Sequence, residues 1–95
     1  MEALTGFQRD LLYVMAGLEK PSGQDIKAEL EKQVSEINHG RLYPNLDRLV
    51  ELGLVEKGQL DRRTNYYQIS ETGLDLIARR RNWESNYVDQ DLLVE

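Results

Sequence analysis

Asn38-His39-Gly40-Arg41-Leu42-Tyr43-Pro44-Asn45-Leu46-Asp47-Arg48-Leu49 reads as a short helix with two unlike faces. Leu42, Leu46, Leu49 and Val50 recur at helical spacing and line a core side, with Tyr43 at its edge. Arg41, Pro44, Asn45 and Arg48 cluster on the other side, which is polar and partly basic. Pro44 lies beyond the first turn, where it removes one hydrogen bond and crowds the Gly40 carbonyl, so a kinked or delayed helix start is expected. Gly53 ends the helix. An apolar strand from Leu54 to Lys57 follows, then a turn at Gly58 to Asp61, and a second strand opening on Arg62-Arg63-Thr64-Asn65-Tyr66-Tyr67.

Working outward, Thr5 can cap a first helix whose Phe7, Leu11, Val14, Met15 and Leu18 form an apolar stripe, widened by Leu12. Tyr13 points away from that stripe, either into solvent or against a partner. Lys20-Pro21-Ser22-Gly23 breaks the chain, and Ser22 with Asp25 resembles a capping box. A second helix is expected from about Gly23 to Val34, with Ile26, Leu30 and Val34 facing inward and Ile37 plugging the next turn. Ser70 caps a last helix reaching about Val88. It carries one stripe of Leu74, Ile77, Ala78 and Val88 and a second, nearly opposite, of Leu76, Trp83 and Tyr87. A helix followed at once by a basic hairpin is the layout of a winged helix-turn-helix, so the expected fold is mainly α with a small β-hairpin wing (α+β). Residues 1–69 form the winged-helix core, and residues 70–95 a C-terminal dimerisation helix and tail.

Ninety-five residues make one domain, and a chain of this size buries only about 60–65% of its unfolded surface. A second copy would therefore add useful burial, and the second stripe of the last helix would otherwise be an exposed aromatic patch. The economical arrangement is a homodimer in which terminal helices pack across a two-fold axis through Tyr13, Leu76, Arg80, Trp83 and Tyr87; Trp83 folding back on its own domain is the alternative. No apolar run is long enough to span a membrane. No export signal is visible, and a cytoplasmic address is expected. Cysteine is absent, so disulfides, zinc-thiolate sites and thiol sensing by this sequence are excluded. One histidine and no phosphate loop, metal-ligand cluster or nucleophile motif argue against an enzyme, a cofactor or a specific metal site.

The net charge of -5 is unexpected for a nucleic-acid binder. Its distribution is more telling. Residues 38–68 carry five basic and four acidic side chains, whereas the segments on either side each sum to -3. Eight arginines against four lysines, with abundant acids, suggest a protein built for a very salty cytoplasm; a mildly acidic mesophilic domain is the competing explanation. In molar salt phosphate attraction is screened and counterion release yields little. Affinity would then rest on base contacts, shape, and bridging water or ions, including K+ or Na+ at the interface.

The expected partner is double-stranded DNA. Arg41 and Arg48 have the chemistry to pair with guanine edges in the major groove and Asn45 with adenine. Asn38 and Gly40 belong to the same surface, where Gly40 allows close approach to a phosphate. His39 touches a phosphate or base, or is structural; the Tyr43 hydroxyl meets a phosphate, or the ring packs at the core edge. Ser22 and Gln24 at the second helix's N-terminus are candidates for a phosphate. Arg62, Arg63, Thr64 and Asn65 would hold backbone or minor groove, although Thr64 and Asn65 alternate across the strand and are not expected both to face it. The competing class is a winged-helix protein-interaction module, which net acidity favours.

Gly40 to Leu49, Gly53-Leu54-Val55 and Tyr66-Tyr67-Gln68-Ile69-Ser70-Glu71-Thr72-Gly73 together resemble the signature of PadR-like transcriptional regulators. The acidic composition and the opening Leu4-Thr5-Gly6-Phe7-Gln8-Arg9-Asp10-Leu11-Leu12 resemble the haloarchaeal branch, which includes a regulator of the oxidative-stress response. The resemblance implies a winged-helix homodimer on pseudo-palindromic operators, usually a repressor. Gly40, Tyr43, Pro44 and Asn45 match the recognition-helix motif, and Arg62 and Arg63 occupy the wing. The short C-terminal region departs from members with a long effector domain, which puts a small-molecule pocket in doubt.

Overall fold

The computed structural model describes residues 3–88 and 92. The elements run α1 (Gly6–Ala16), α2 (Gly23–Leu30), α3 (His39–Glu51), β1 (Val55–Gln59), β2 (Asn65–Ile69) and α4 (Glu71–Glu84). Each helix begins where a short polar side chain can serve amides that have no helical acceptor. Thr5 accepts the Gln8 N–H while the Gln8 side chain accepts the Thr5 N–H, and Ser22 and Asp25 do the same for α2. Asn38 accepts the Arg41 N–H at 2.9 Å. The Ser70 hydroxyl accepts the Gly73 N–H and donates to the Gly53 carbonyl at 2.7 Å, which ties the start of α4 to the end of α3.

Leu11, Leu12 and Met15 of α1, Ile26 and Leu30 of α2, and Leu42, Leu46 and Leu49 of α3 make the buried centre. Ile37, Leu54, Val55, Tyr67, Ile69 and Ile77 close it from the turn, the hairpin and α4. β1 and β2 pair antiparallel, Val55 opposite Ile69 and Gln59 opposite Asn65. The segment before α2 joins the hairpin. The Tyr67 N–H donates to the Pro21 carbonyl at 2.8 Å, Ser22 bridges to Tyr66, and the Lys20 N–H donates to the Gln68 side chain at 2.6 Å. Lys20 reaches this position with φ 44°, in the left-handed region that side-chain-bearing residues rarely occupy.

Several boundaries differ from expectation. α2 stops at Leu30, and Val34 is exposed rather than inward. The cause is Glu31, whose carboxylate accepts the Ile37 N–H at 2.7 Å and so draws the chain out of the helix. α3 starts at His39 directly after its cap, with no delay, and runs through Pro44. The acceptor that Pro44 leaves unserved belongs to exposed Gly40, where water can replace the missing N–H. Gly58 is not a turn residue but lies within β1 opposite Tyr66, whose ring occupies the space a Cβ would need. The turn falls after Gln59, and the second strand begins at Asn65, three residues later than expected. α4 ends at Glu84 rather than Val88, and residues 85–87 form a turn. Gly73 and Ile77 are its buried residues, which puts Leu76 on the inward arc, half-buried against the core, while Leu74 is exposed.

Candidate nucleic-acid interface

Three elements converge on one cleft: the N-terminus of α2, Tyr43 of α3, and the hairpin tip. Between them lies a polar cleft of about 320 Å³, bordered by Ser22, Gln24, Tyr43, Arg63, Thr64 and Asn65. Tyr43 is its floor. The ring is half-buried, stacked on His39 at 5.7 Å and tilted against Tyr67 at 6.5 Å. Gln24 Nε2 donates to the Tyr43 hydroxyl at 3.1 Å, which leaves that hydroxyl its own hydrogen to give. The two roles considered for Tyr43 are therefore compatible: its ring packs and its hydroxyl faces the cleft. A Cβ on Gly23 would come within 2.6 Å of the ring, so Gly23 is what allows α2 and α3 to meet here. No local pattern in the sequence marks that requirement.

Along α3, Asn38, His39, Gly40 and Arg41 are exposed, and Asn45 and Arg48 are half-exposed. The Arg41 guanidinium lies 4.0 Å over the Phe7 ring of α1. Asn45 Nδ2 donates to the Arg41 carbonyl at 2.8 Å, and its Oδ1 accepts from Gln8 Nε2 at 3.0 Å. Arg48 pairs with Glu51 at 3.1 Å. Asp47 meets Lys57 of β1 at 3.3 Å, a bond between α3 and the wing. Burial pulls the Lys57 ammonium down, but Tyr67 and Asp47 outweigh it and hold its pKa above the ordinary lysine value. Burial likewise raises the Tyr67 phenol above its usual value.

At the wing tip, Arg62 and Arg63 are exposed. Asp61 organises the turn: its Oδ1 accepts the N–H groups of Arg63 and Thr64 at 2.9 and 3.0 Å, and the Leu60 N–H donates to the Thr64 carbonyl at 2.8 Å. The backbone N–H of Arg63, with help from Thr64, holds the Asp61 carboxyl below the usual carboxylate range. Thr64 is half-buried and Asn65 exposed, yet both edge the cleft, against the expectation that alternation would turn one of them away; Thr64 precedes β2, so strand alternation does not govern it. Phe7 and Gln8 are the residues at this surface that sequence reasoning missed. Gln8 is visible as a capping residue, but its partner Asn45 lies 37 positions away.

The rings of Trp83, near the end of α4, and Tyr87, in the turn after it, lie 5.2 Å apart and are 50% and 67% exposed. The Arg80 guanidinium lies 4.7 Å over the Trp83 ring and pairs with Glu84 at 3.2 Å, both within its own helix. Tyr13 lies against α4, its hydroxyl 3.4 Å from the Ile77 carbonyl, and lines a groove of about 590 Å³ between the two helices. Among the described residues no three His, Cys, Asp or Glu side chains converge as metal ligands would, and no helix is long and apolar enough to cross a membrane.

The sequence profile of the Transcriptional regulator PadR-like family matches residues 11–79, spanning the helix-turn-helix, the wing and the start of α4. The chain belongs to this family. PadR-like proteins are transcriptional regulators, not enzymes, and this member is a DNA-binding winged helix. H. salinarum RosR, in crystals grown from NaBr, is 45% identical, with 96% of this chain and 84% of that one covered and a TM-score of 0.86. The same regulator in the complex RosR-S1 is 48% identical, with 87% and 74% covered and a TM-score of 0.83. These neighbours make the chain a PadR-like regulator of the haloarchaeal type. F93 from STIV, a winged-helix DNA-binding protein, is 15% identical with 94% and 98% covered and a TM-score of 0.76, and shares the fold alone. No curated protein matches the chain.

Proposed function

We propose that this PadR-like regulator acts as a homodimer on a pseudo-palindromic operator. Each α3 lies in a major groove, and each wing lies on the adjoining backbone or minor groove. The observation that carries the reading is the polar cleft where α2's N-terminus, Tyr43 of α3 and Arg63 of the wing meet, with Arg41 and Arg62 exposed on the same elements. Arg41 and Arg48 pair with guanine and Asn45 with adenine, because these are the bidentate matches their side chains offer. Ser22, Gln24, the Tyr43 hydroxyl and Arg63 hold a phosphate in the cleft, while Asn38, His39 and Gly40 border the next one. Arg62, Thr64 and Asn65 extend the contact along the wing.

The two-fold surface is α4 with Tyr13. Exposed Trp83 and Tyr87 supply its centre and Arg80 its rim, while Leu76 contributes only an edge, since its own core covers most of it. Occupancy of the operator then represses by excluding the transcription machinery. Asp47 and Glu51 stand beside the reading residues, and K+ or Na+ bridges them to phosphate. This lets an acidic protein bind in a salty interior.

The test is selection from a pool of randomised duplexes at low and high potassium chloride, followed by footprinting of the winners. Two similar half-sites about one helical turn apart, protected at both salts, are expected. Duplexes recovered without any common sequence, or protection of one half-site by a monomer, would reject the proposal.

A further inference from the structure

Two side chains of α1 reach the reading helix, and each holds one of the residues assigned to base contact. Gln8 is fixed at both ends of its amide: Oε1 accepts the Thr5 N–H at 3.1 Å, so Nε2 must face outward, where it donates to Asn45 Oδ1 at 3.0 Å. Asn45 is thereby fixed in turn, because its Nδ2 donates to the Arg41 carbonyl. An asparagine amide has two acceptor lone pairs and two N–H donors, so one of each is left on Asn45. Those two are what adenine requires, an acceptor for its N6 amine and a donor for its N7. A flipped amide would set oxygen against the Arg41 carbonyl oxygen and nitrogen against the Gln8 donor. One orientation of Asn45 is therefore strongly preferred before any base arrives. Phe7 acts on Arg41 as a cation–π partner: the guanidinium carbon lies 4.0 Å from the ring centroid, a contact that holds the cation in place without taking up its N–H donors.

We infer that Phe7 and Gln8 are positioning residues for base specificity, acting through Arg41 and Asn45 without touching the bases themselves. The inference rests on the base-reading assignment of the preceding section. Its test uses the same selection from randomised duplexes, scored base pair by base pair. Gln8→Glu keeps an acceptor for the Thr5 N–H, so the capping box survives, but the carboxylate cannot donate to Asn45. The expected result is a loss of about tenfold in preference at the one base pair per half-site that Asn45→Ala also affects. The other positions keep their ranking, and the thermal unfolding curve keeps its shape. Adding Gln8→Glu to Asn45→Ala should change the preference no further. Phe7→Leu, which keeps apolar bulk and removes the aromatic face, should weaken preference at the base pair affected by Arg41→Ala.

A Gln8→Glu profile identical to wild type, or weakened equally at every position, while Asn45→Ala loses its one position, would overturn the inference and leave the base-reading assignment standing. An unchanged profile for Asn45→Ala would remove that assignment, and the role of Gln8 with it.

Discussion

At the scale of single residues, Arg41, Asn45 and Arg48 each stand at the surface already engaged, with Phe7, Gln8 and Glu51. The placement of Arg41, Asn45 and Arg48 on the outer side of α3 followed from the spacing of Leu42, Leu46 and Leu49. Which atoms of those side chains are already engaged depends on α1, and no periodicity carries that information. Arg48 illustrates the gap, since its pairing with Glu51 means that a base must compete for it. Arg48→Ala should cost roughly 1–3 kcal/mol on a selected operator and relax one position of it. Titration of matched and scrambled duplexes checks this, and an equal loss on both would make Arg48 a backbone contact. Gly23 is a sharper case. It looked like an ordinary first residue of a helix, yet it is the space on which Tyr43 rests. Gly23→Ala should destabilise the fold by about 1–3 kcal/mol through overpacking, measurable by urea unfolding, and displace the Tyr43 hydroxyl from the cleft. Wild-type stability would mean that the ring moves aside freely.

At the scale of elements, the order of helices and strands was readable from apolar spacing and capping residues, whereas the ends were set by side chains reaching across turns. Glu31 decides where α2 stops, and Asp61, read only as a turn residue, shapes the wing turn. Gly58 misled because glycine marks a turn and a crowded strand equally well. The Glu31 interaction has a pH signature. The Ile37 N–H, with Lys27, holds its carboxyl below the ordinary range. A carboxyl with a lower pKa folded than unfolded contributes its stability in full above the unfolded value and loses it as pH falls through the folded one. The advantage of wild type over Glu31→Gln should therefore shrink as the carboxylate range is crossed downward. Melting temperatures across acid pH test this, and a constant gap would contradict it. In the wing, Arg62 and Arg63 need no base to act on. Replacing both with alanine should weaken all duplexes about equally and lower the salt slope by about one for each phosphate no longer held.

At the scale of the whole molecule, the second stripe read in the last helix is what suggested a dimer, and its membership shifted in three dimensions. Leu76 turned inward and Leu74 outward because Gly73 brings α4 close against the Leu54 carbonyl. Trp83 and Tyr87 remain uncovered within one chain. Trp83→Glu should move the mass measured by light scattering from two chains to one and lower operator affinity with it. An unchanged mass would take Trp83 out of the interface.

The join between the residues before α2 and the hairpin bears on how the partner must behave. The Pro21 and Tyr67 backbones, the bridge from Ser22 to Tyr66 and the Lys57–Asp47 pair lash the wing to the helices on two sides. Such a surface arrives already stiff, with little loop freedom to forfeit on docking. Whatever compliance the complex needs must then come from the nucleic acid. Flexible pyrimidine–purine steps in the untouched spacer between half-sites would bend more readily than rigid A-tracts. Discrimination would thus extend to nucleotides that no side chain ever meets.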